Sequence, residues 1–279
     1  MGGPVKSYVE LTRPVNSVAA GFLTLIGGFV ADGLSANRWG LAAAILATVL
    51  ATAAGNAIND YFDRDIDRIN NPERPIPRGD VSARGALGFS GGLFAVAIAL
   101  AVTLRPVAVA IAIVNFLGLV AYTTLFKGRP GAGNALVAYL GGSTFLFGAA
   151  AVGHARDGLV LFALAGLSTF AREMIKDVED VAGDRSEGLN TLPIAFGERI
   201  ALGIAAVALG IAVLASPVPY LRALFGMPYL IVVLPADLVM IAALLRSRTD
   251  PATGQRWLKL GMFLAAAAFV VGRVSVVMG

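Results

Sequence analysis

The feature that most restricts this chain is a succession of apolar runs, each long enough to cross a bilayer. Residues 15–31, 40–62, 83–104, 106–124, 133–152, 158–178, 199–216, 225–245 and 257–277 are the candidate spans. A hydrocarbon core asks for roughly 17–25 residues of helix. Backbone inside lipid has to satisfy its own N–H and C=O groups, and runs of this length do so as helices. With 57% hydrophobic and 14% charged residues, a water-soluble domain of this size is excluded. The expected fold is all-α: a polytopic membrane protein with nine transmembrane helices around a central cavity, one integral membrane domain over residues 1–279. The first run follows Lys6, Glu10 and Arg13, exceeds the h-region of a cleavable signal and lacks a small-x-small exit, so it reads as a retained helix.

Against that background the charge in residues 56–79, NAINDYFDRDIDRINNPERPIPRG, stands at the end of an apolar run. Ionisable groups there need partners, water or a metal to offset their desolvation. Asn59, Asp63 and Asp67 are four residues apart, a spacing that stacks their oxygens on one face of a helix. The pattern recurs. Asp60, Asp63 and Asp67 form D-x-x-D-x-x-x-D, and Asp177, Asp180 and Asp184 form it again 117 residues later, within the second motif at 172–194. Each copy leads into a proline-bearing turn, which sets the pair apart from ordinary acidic helix caps.

The chain has no cysteine, and its single histidine, His154, falls in a short loop, so thiolate and histidine chemistry drop out. Oxygen-only ligands select a hard cation, and magnesium completed by water and phosphate is the natural occupant. Arg172, Lys176, Asp180 and Asp184 recur every four residues, alternating cation and ligand. This suits a magnesium-bridged diphosphate, and it equally suits an i,i+4 salt-bridge ladder. A metal-diphosphate clamp over an apolar cavity points to ionisation of an isoprenyl diphosphate, with aromatic rings such as Tyr61, Phe62, Tyr122, Phe126, Tyr139 and Phe170 available to the cation.

Loop charge sets the orientation. If the spans alternate, one side carries Lys6, Arg13, Arg64, Arg68, Arg74, Arg78, Arg84, Lys127, Arg129, Lys176, Arg185, Arg199, Arg246, Arg248, Arg256 and Lys259. The other carries Arg38, Arg105, Arg156, Arg222 and Arg273. The bias places the N-terminus and both acidic motifs in the cytoplasm, and it accounts for the net charge of +4 without nucleic acid. No protein partner is implied.

The two motifs, NDYFDRDIDRINNPERPIPRG and REMIKDVEDVAGDRSEGLNTLPI, resemble the signature loops of the UbiA-type membrane prenyltransferases, N-x-x-x-D-x-x-x-D and D-x-x-x-D. LTRP at 11–14, AYTTLFK at 121–127 and Gly133-Asn134 extend the resemblance over essentially the whole chain. Among subgroups, the second loop is most similar to that of the archaeal digeranylgeranylglyceryl phosphate synthases. The resemblance implies transfer of a geranylgeranyl group from its diphosphate to the hydroxyl of geranylgeranylglyceryl phosphate. It also implies magnesium ligation by Asn59, Asp63, Asp67, Asp180 and Asp184, with Asp60 and Asp177 alongside, and catalytic roles for Asp63, Asp67, Asp180, Asp184 and Lys176. Arg68, Lys127 and Lys176, with Tyr122 close by, would meet the diphosphate; Arg13, Arg74 and Arg78 would bind the acceptor phosphate; Asn134 and Arg172 complete the substrate-binding set.

The residues themselves leave the acceptor open. An aromatic acceptor such as 4-hydroxybenzoate or a quinone precursor is the alternative, although the arginines of the first loop favour a phosphorylated one. Asp32-Gly33 superficially matches the start of a CDP-alcohol phosphotransferase motif, but position 37 is Asn and the segment falls on the opposite face. A transporter would need broken helices with polar groups at the midplane, for which Asp237 beside Pro235 and Asn115 are the candidates.

Overall fold

The computed structural model describes residues 3–32, 37–126 and 128–277. Every regular element among them is helical. In order these are α1 (Pro4–Leu11), α2 (Pro14–Asp32), α3 (Arg38–Phe62), α4 (Arg64–Asn70), α5 (Ala83–Ala101) and α6 (Pro106–Ala121). A wide π turn (Tyr122–Phe126) continues α6 and leads to α7 (Ala132–Val152), α8 (Leu159–Ser186), α9 (Leu192–Phe196), α10 (Glu198–Ala215), α11 (Val218–Leu221), α12 (Met227–Arg246) and α13 (Pro251–Val277).

Eight stretches are long and apolar enough to span a membrane: α2, α3, α5, α6 with its π turn, α7, α10 with α11, α12 and α13. Nine were expected. The remaining run, 158–178, is the first part of α8, whose 28 residues are long enough to cross. Arg172, Glu173, Lys176 and Asp177 enter halfway along α8 and take it out of the apolar class. Large apolar side chains face outward on the apolar helices, among them Val207, Leu214, Ile231 and Leu238. This is an inverted surface that suits lipid, and the chain is a multi-pass membrane protein.

Lipid tails are as apolar as leucine, so helix association here depends on close packing of small residues. The α2–α7 contact shows this directly: a Cβ at Gly27 would strike the Phe145 backbone, and one at Gly148 would strike the Thr24 backbone. On the other side Ala171, Met174 and Ile175 of α8 pack with Ala205 and Leu209 of α10, Met240 of α12 and Leu258 of α13. Helix starts follow local chemistry. Asn37 caps α3 by accepting from the Gly40 N–H at 2.9 Å, and its amide donates to the Ala151 carbonyl at 3.1 Å. This structural role occupies the position weighed against the phosphotransferase motif; Gly33 and the Asp32 side chain lie outside the described residues. α12 runs unbroken through Pro235, unlike the discontinuous helix a transporter would need.

Two joints position the site. Arg13, between α1 and α2, adopts φ 45°, a left-handed conformation that is strained for a residue with a side chain. Asp63 closes α3 and opens α4, with φ −84° and ψ 0°. The expected single-helix ladder of Asn59, Asp63 and Asp67 is therefore broken at its middle member. The hydrogen bonds from Asp63 N–H to the Asn59 carbonyl and from Asp67 N–H to the Asp63 carbonyl, both 2.8 Å, carry the chain through the bend.

Candidate active site

A cavity of about 910 Å³ opens inside the bundle, and most of its lining is apolar. Its polar rim is formed by Arg13, Asn56, Asn59, Tyr122, Arg172 and Glu173. The two acidic motifs meet at this end. Asn70, closing α4, donates to Glu187 just beyond α8 at 2.8 Å. Asp63 from the first motif and Glu173, Lys176 and Asp177 from the second all act electrostatically on the Tyr122 hydroxyl. Tyr122 and Thr123 reach the rim because the π turn holds them there; Thr123 Oγ1 lies 2.9 Å from Asn59 Oδ1 and 3.1 Å from the Leu119 carbonyl.

The first motif is charge-balanced by arginines. Arg13 donates to Asp60 at 2.6 Å; Arg74 lies 2.6 Å from Asp67 and 3.5 Å from Asp60. Both carboxylates are almost completely buried, and the Asn71 side-chain amide donates a hydrogen bond to Asp67 at 3.0 Å. In the second motif Lys176 pairs with Asp180 at 2.5 Å, the i,i+4 contact that the spacing allowed, and Asn134 of α7 donates to Asp177 at 2.9 Å. Arg172 bonds Glu173 at 2.7 Å and Gln255 at 3.2 Å, so it does not continue the ladder.

Other expected residues lie apart from the rim. Arg68 is exposed and pairs with Asp65 at 3.0 Å. Arg78 is held by Asp80 at 2.7 Å and Glu10 at 3.0 Å, joining the loop before α5 to α1. The Arg78 guanidinium, helped by the Ser7 hydroxyl, keeps the Asp80 carboxyl below the usual carboxylate range. Lys127 lies outside the described residues. His154 sits in the turn after α7 with Asp157 3.6 Å away. Of the six aromatics expected near a carbocation, only Tyr122 lines the cavity; Tyr139 packs edge-on against Phe162, and Phe170 faces a groove beside α10. Helix rotation instead presents Phe94, Phe116, Phe145, Phe263, Phe269 and Tyr229.

Sequence reasoning missed Glu173, Asn56 and Thr123. The four-residue period from Arg172 to Asp184 drew attention away from Glu173, which is next to its first member. Asn56 opens the first motif as one more polar letter, and only the fold brings its amide to the Thr12 carbonyl at 3.0 Å.

Every candidate ligand at the rim is oxygen, the donor type that a hard divalent ion takes. Among the described residues no three carboxylates converge as a ready-made metal cluster. Arg13, Arg74 and Lys176 instead supply positive charge to Asp60, Asp67 and Asp180. Carboxylates so arranged fit a site that exchanges protein cations for a metal.

The model of the UbiA prenyltransferase family matches residues 20–267. This chain belongs to that family. The digeranylgeranylglyceryl phosphate synthase of Natronomonas pharaonis is 62% identical over 274 residues, covering 98% of this chain and 99% of that one. Its counterpart from Haloquadratum walsbyi is 54% identical over 279 residues, covering 99% and 98%. Among family members of known structure, a digeranylgeranylglyceryl phosphate synthase is 33% identical, with a TM-score of 0.86 over 97% of this chain and 99% of that one. A UbiA homologue from Archaeoglobus fulgidus, bound to GPP and Mg2+, is 20% identical with a TM-score of 0.71 over 97% and 99%, and shares the fold.

Proposed function

We propose that this prenyltransferase moves a geranylgeranyl group from geranylgeranyl diphosphate to the hydroxyl of geranylgeranylglyceryl phosphate, forming the second ether bond of an archaeal lipid. The observation that carries the reading is a rim of acids and bases from two motifs set over an apolar cavity, in a chain 62% identical to relatives bearing that enzyme's name. The whole chain, 1–279, acts as one catalytic unit. Its N-terminus and rim face the cytoplasm, where the positive-inside bias puts them.

Asn59, Asp63 and Asp67 on one motif and Asp180 and Asp184 on the other would hold magnesium, with Asp60 and Asp177 beside them; the A. fulgidus homologue, bound to GPP and Mg2+, supports the choice of ion. The chemistry magnesium supplies there is withdrawal of charge from the diphosphate leaving group. Lys176 and Arg172 offer further donors to phosphate oxygens, and Lys127 is assigned the same role. Asn134 fixes Asp177 against α7. The apolar walls hold the prenyl chain and exclude water that would otherwise capture the carbocation. The allylic C–O bond breaks, the ether C–O bond forms, and the hydroxyl proton passes to an oxygen base, because His154 is remote.

The test is diphosphate release by purified protein with geranylgeranyl diphosphate and magnesium, with geranylgeranylglyceryl phosphate compared against 4-hydroxybenzoate. Release that needs magnesium and the glyceryl phosphate, with a diether product by mass, is expected. Turnover with the aromatic acceptor alone would overturn the substrate assignment.

A further inference from the structure

Among the described residues two that carry side chains have left-handed backbone, Arg13 and Ala223, and of these Arg13 lines the cavity. Arg13 also precedes Pro14, which narrows the conformations open to it further. A conformation of this kind persists only where the surroundings enforce it. Here they act from both sides. The Arg13 carbonyl accepts from the N–H groups of Asn16 at 2.9 Å and Ser17 at 3.1 Å, in the first turn of α2. The Thr12 carbonyl, on the preceding peptide, accepts from the Ser17 hydroxyl at 2.7 Å and from the Asn56 side-chain amide at 3.0 Å. A carbonyl oxygen has two lone pairs, and both are engaged. The two peptide planes flanking Arg13 are thus each pinned, and its φ is held between them.

Asn56 of α3 and Ser17 of α2 are 7% and 2% exposed, and the Asn56 amide lies 3.4 Å from the Ser17 hydroxyl. An orphan carbonyl at the end of α1 would be satisfied by one donor, and Ser17 alone provides it. The second donor comes from a different helix and ties the joint to the first acidic motif. Asn56 stands one turn before Asp60 on the same face of α3, and the Asp60 carboxylate takes the Arg13 guanidinium at 2.6 Å. One helix therefore grips the joint twice, at its backbone through Asn56 and at its side chain through Asp60.

From this geometry we infer that Asn56, with Ser17, is a positioning residue for the reaction: the pair holds the left-handed joint so that the Arg13 guanidinium stands at the cavity rim beside Asp60. The inference rests on the function proposed above. A magnesium ion that takes over the carboxylates of the first motif releases the guanidinium for another anion, and the acceptor phosphate is the group to which the sequence assigns Arg13. Without the grip on the Thr12 carbonyl the joint relaxes towards an ordinary φ, and in a share of the molecules the guanidinium leaves the rim. An apparent affinity is the intrinsic one scaled by the competent fraction, so the loss falls on the acceptor KM and leaves the saturated rate in place.

The experiment is a double-mutant cycle on the purified enzyme, with steady-state constants for each substrate measured in N56L, S17A, R13M and the combination of N56L with R13M. Loss of one hydrogen bond predicts that N56L raises the acceptor KM roughly three- to tenfold. Its donor KM and kcat should stay within about twofold of the unaltered enzyme, and S17A should behave as N56L does. R13M should raise the acceptor KM at least as far, and adding N56L to R13M should raise it by no more than about twofold again. The full three- to tenfold rise in the R13M background would mean that Asn56 acts on the substrate or the bundle directly, and it overturns the inference. A fall in kcat alone, which a merely structural role would give, overturns it too, as do unchanged constants in R13M, which would leave nothing to position. If N56L does not fold, S17A alone and combined with R13M completes the same cycle. A failed cycle leaves the proposed function standing, whereas an unaltered enzyme that ignores the glyceryl phosphate overturns both readings.

Discussion

Replacing Arg74 with methionine removes the cation that bridges two buried carboxylates. Arg74 lies 2.6 Å from Asp67 and 3.5 Å from Asp60, side chains only 4% and 5% exposed. Breaking a buried ion pair from one side costs about 3–5 kcal/mol. The lower end applies here, because Arg74 is itself 29% exposed, Asp60 keeps Arg13 and Asp67 keeps Asn71. A loss of about 3 kcal/mol corresponds to roughly 6–12 °C in Tm at about 2–4 °C per kcal/mol. Melting of R74M against the unaltered protein in detergent with a chelator measures it. Magnesium then separates two readings. With the proposed ligand set, a metal would have to compete with Arg74 for Asp67 in the unaltered protein, whereas in R74M that oxygen would be free. Metal at about a hundred times its Kd contributes about 2.7 kcal/mol, so saturating magnesium should close most of the gap. Equal melting in chelator would refute the buried bridge, and a gap that magnesium leaves unchanged would refute the overlap of Arg74 with the metal site.

D63A and D180A should each abolish magnesium-dependent diphosphate release while the protein still melts cooperatively; full activity in either would remove that residue from the ligand set. Because the chain lacks cysteine, R156C and R185C can be labelled singly with an impermeant maleimide. In intact cells R156C should react and R185C should not; the reverse pattern would invert the proposed orientation. D80N should speed hydrogen exchange in α1, whose Ser7 donates to Asp80 at 3.0 Å. Since Asp80 is held below its ordinary value of 3.8, first by Arg78 and then by Ser7, that contact is complete above this pH and is lost as pH falls through the depressed value. Exchange in α1 that rises instead between pH 7 and 5 would contradict the assignment.

The spans were legible because hydrophobicity over a helix-length window is a local property, and the acidic motifs because their spacing repeats. α8 shows where that stops: its first half reads as a membrane span, while its second half carries the charged residues of the candidate site, which take it out of a purely apolar criterion. The break at Asp63 was not readable, since aspartate with the same neighbours can continue a helix or cap one, and packing decides. Nor was the choice of aromatics at the cavity, because a rotation of one helix exchanges the ring that faces inward. Asp237 was visible as an isolated midplane acid, but its hydroxyl partner comes from Ser216 at the end of another helix, which only the fold reveals.

The π turn at Tyr122–Phe126 also constrains the length of the polypeptide. A wide turn at the end of a helix usually contains one residue more than regular winding needs, and one residue shifts the direction in which the chain leaves the helix by about 100°. Substitution alone therefore cannot smoothly convert this segment into a regular helix while keeping Tyr122 and Thr123 at the rim and Gly133 against the Phe126 carbonyl. A family member that lacks the turn should be one residue shorter between Gly118 and Gly128. When such sequences are aligned, the gap itself marks the lost geometry, even where every neighbouring letter is unchanged.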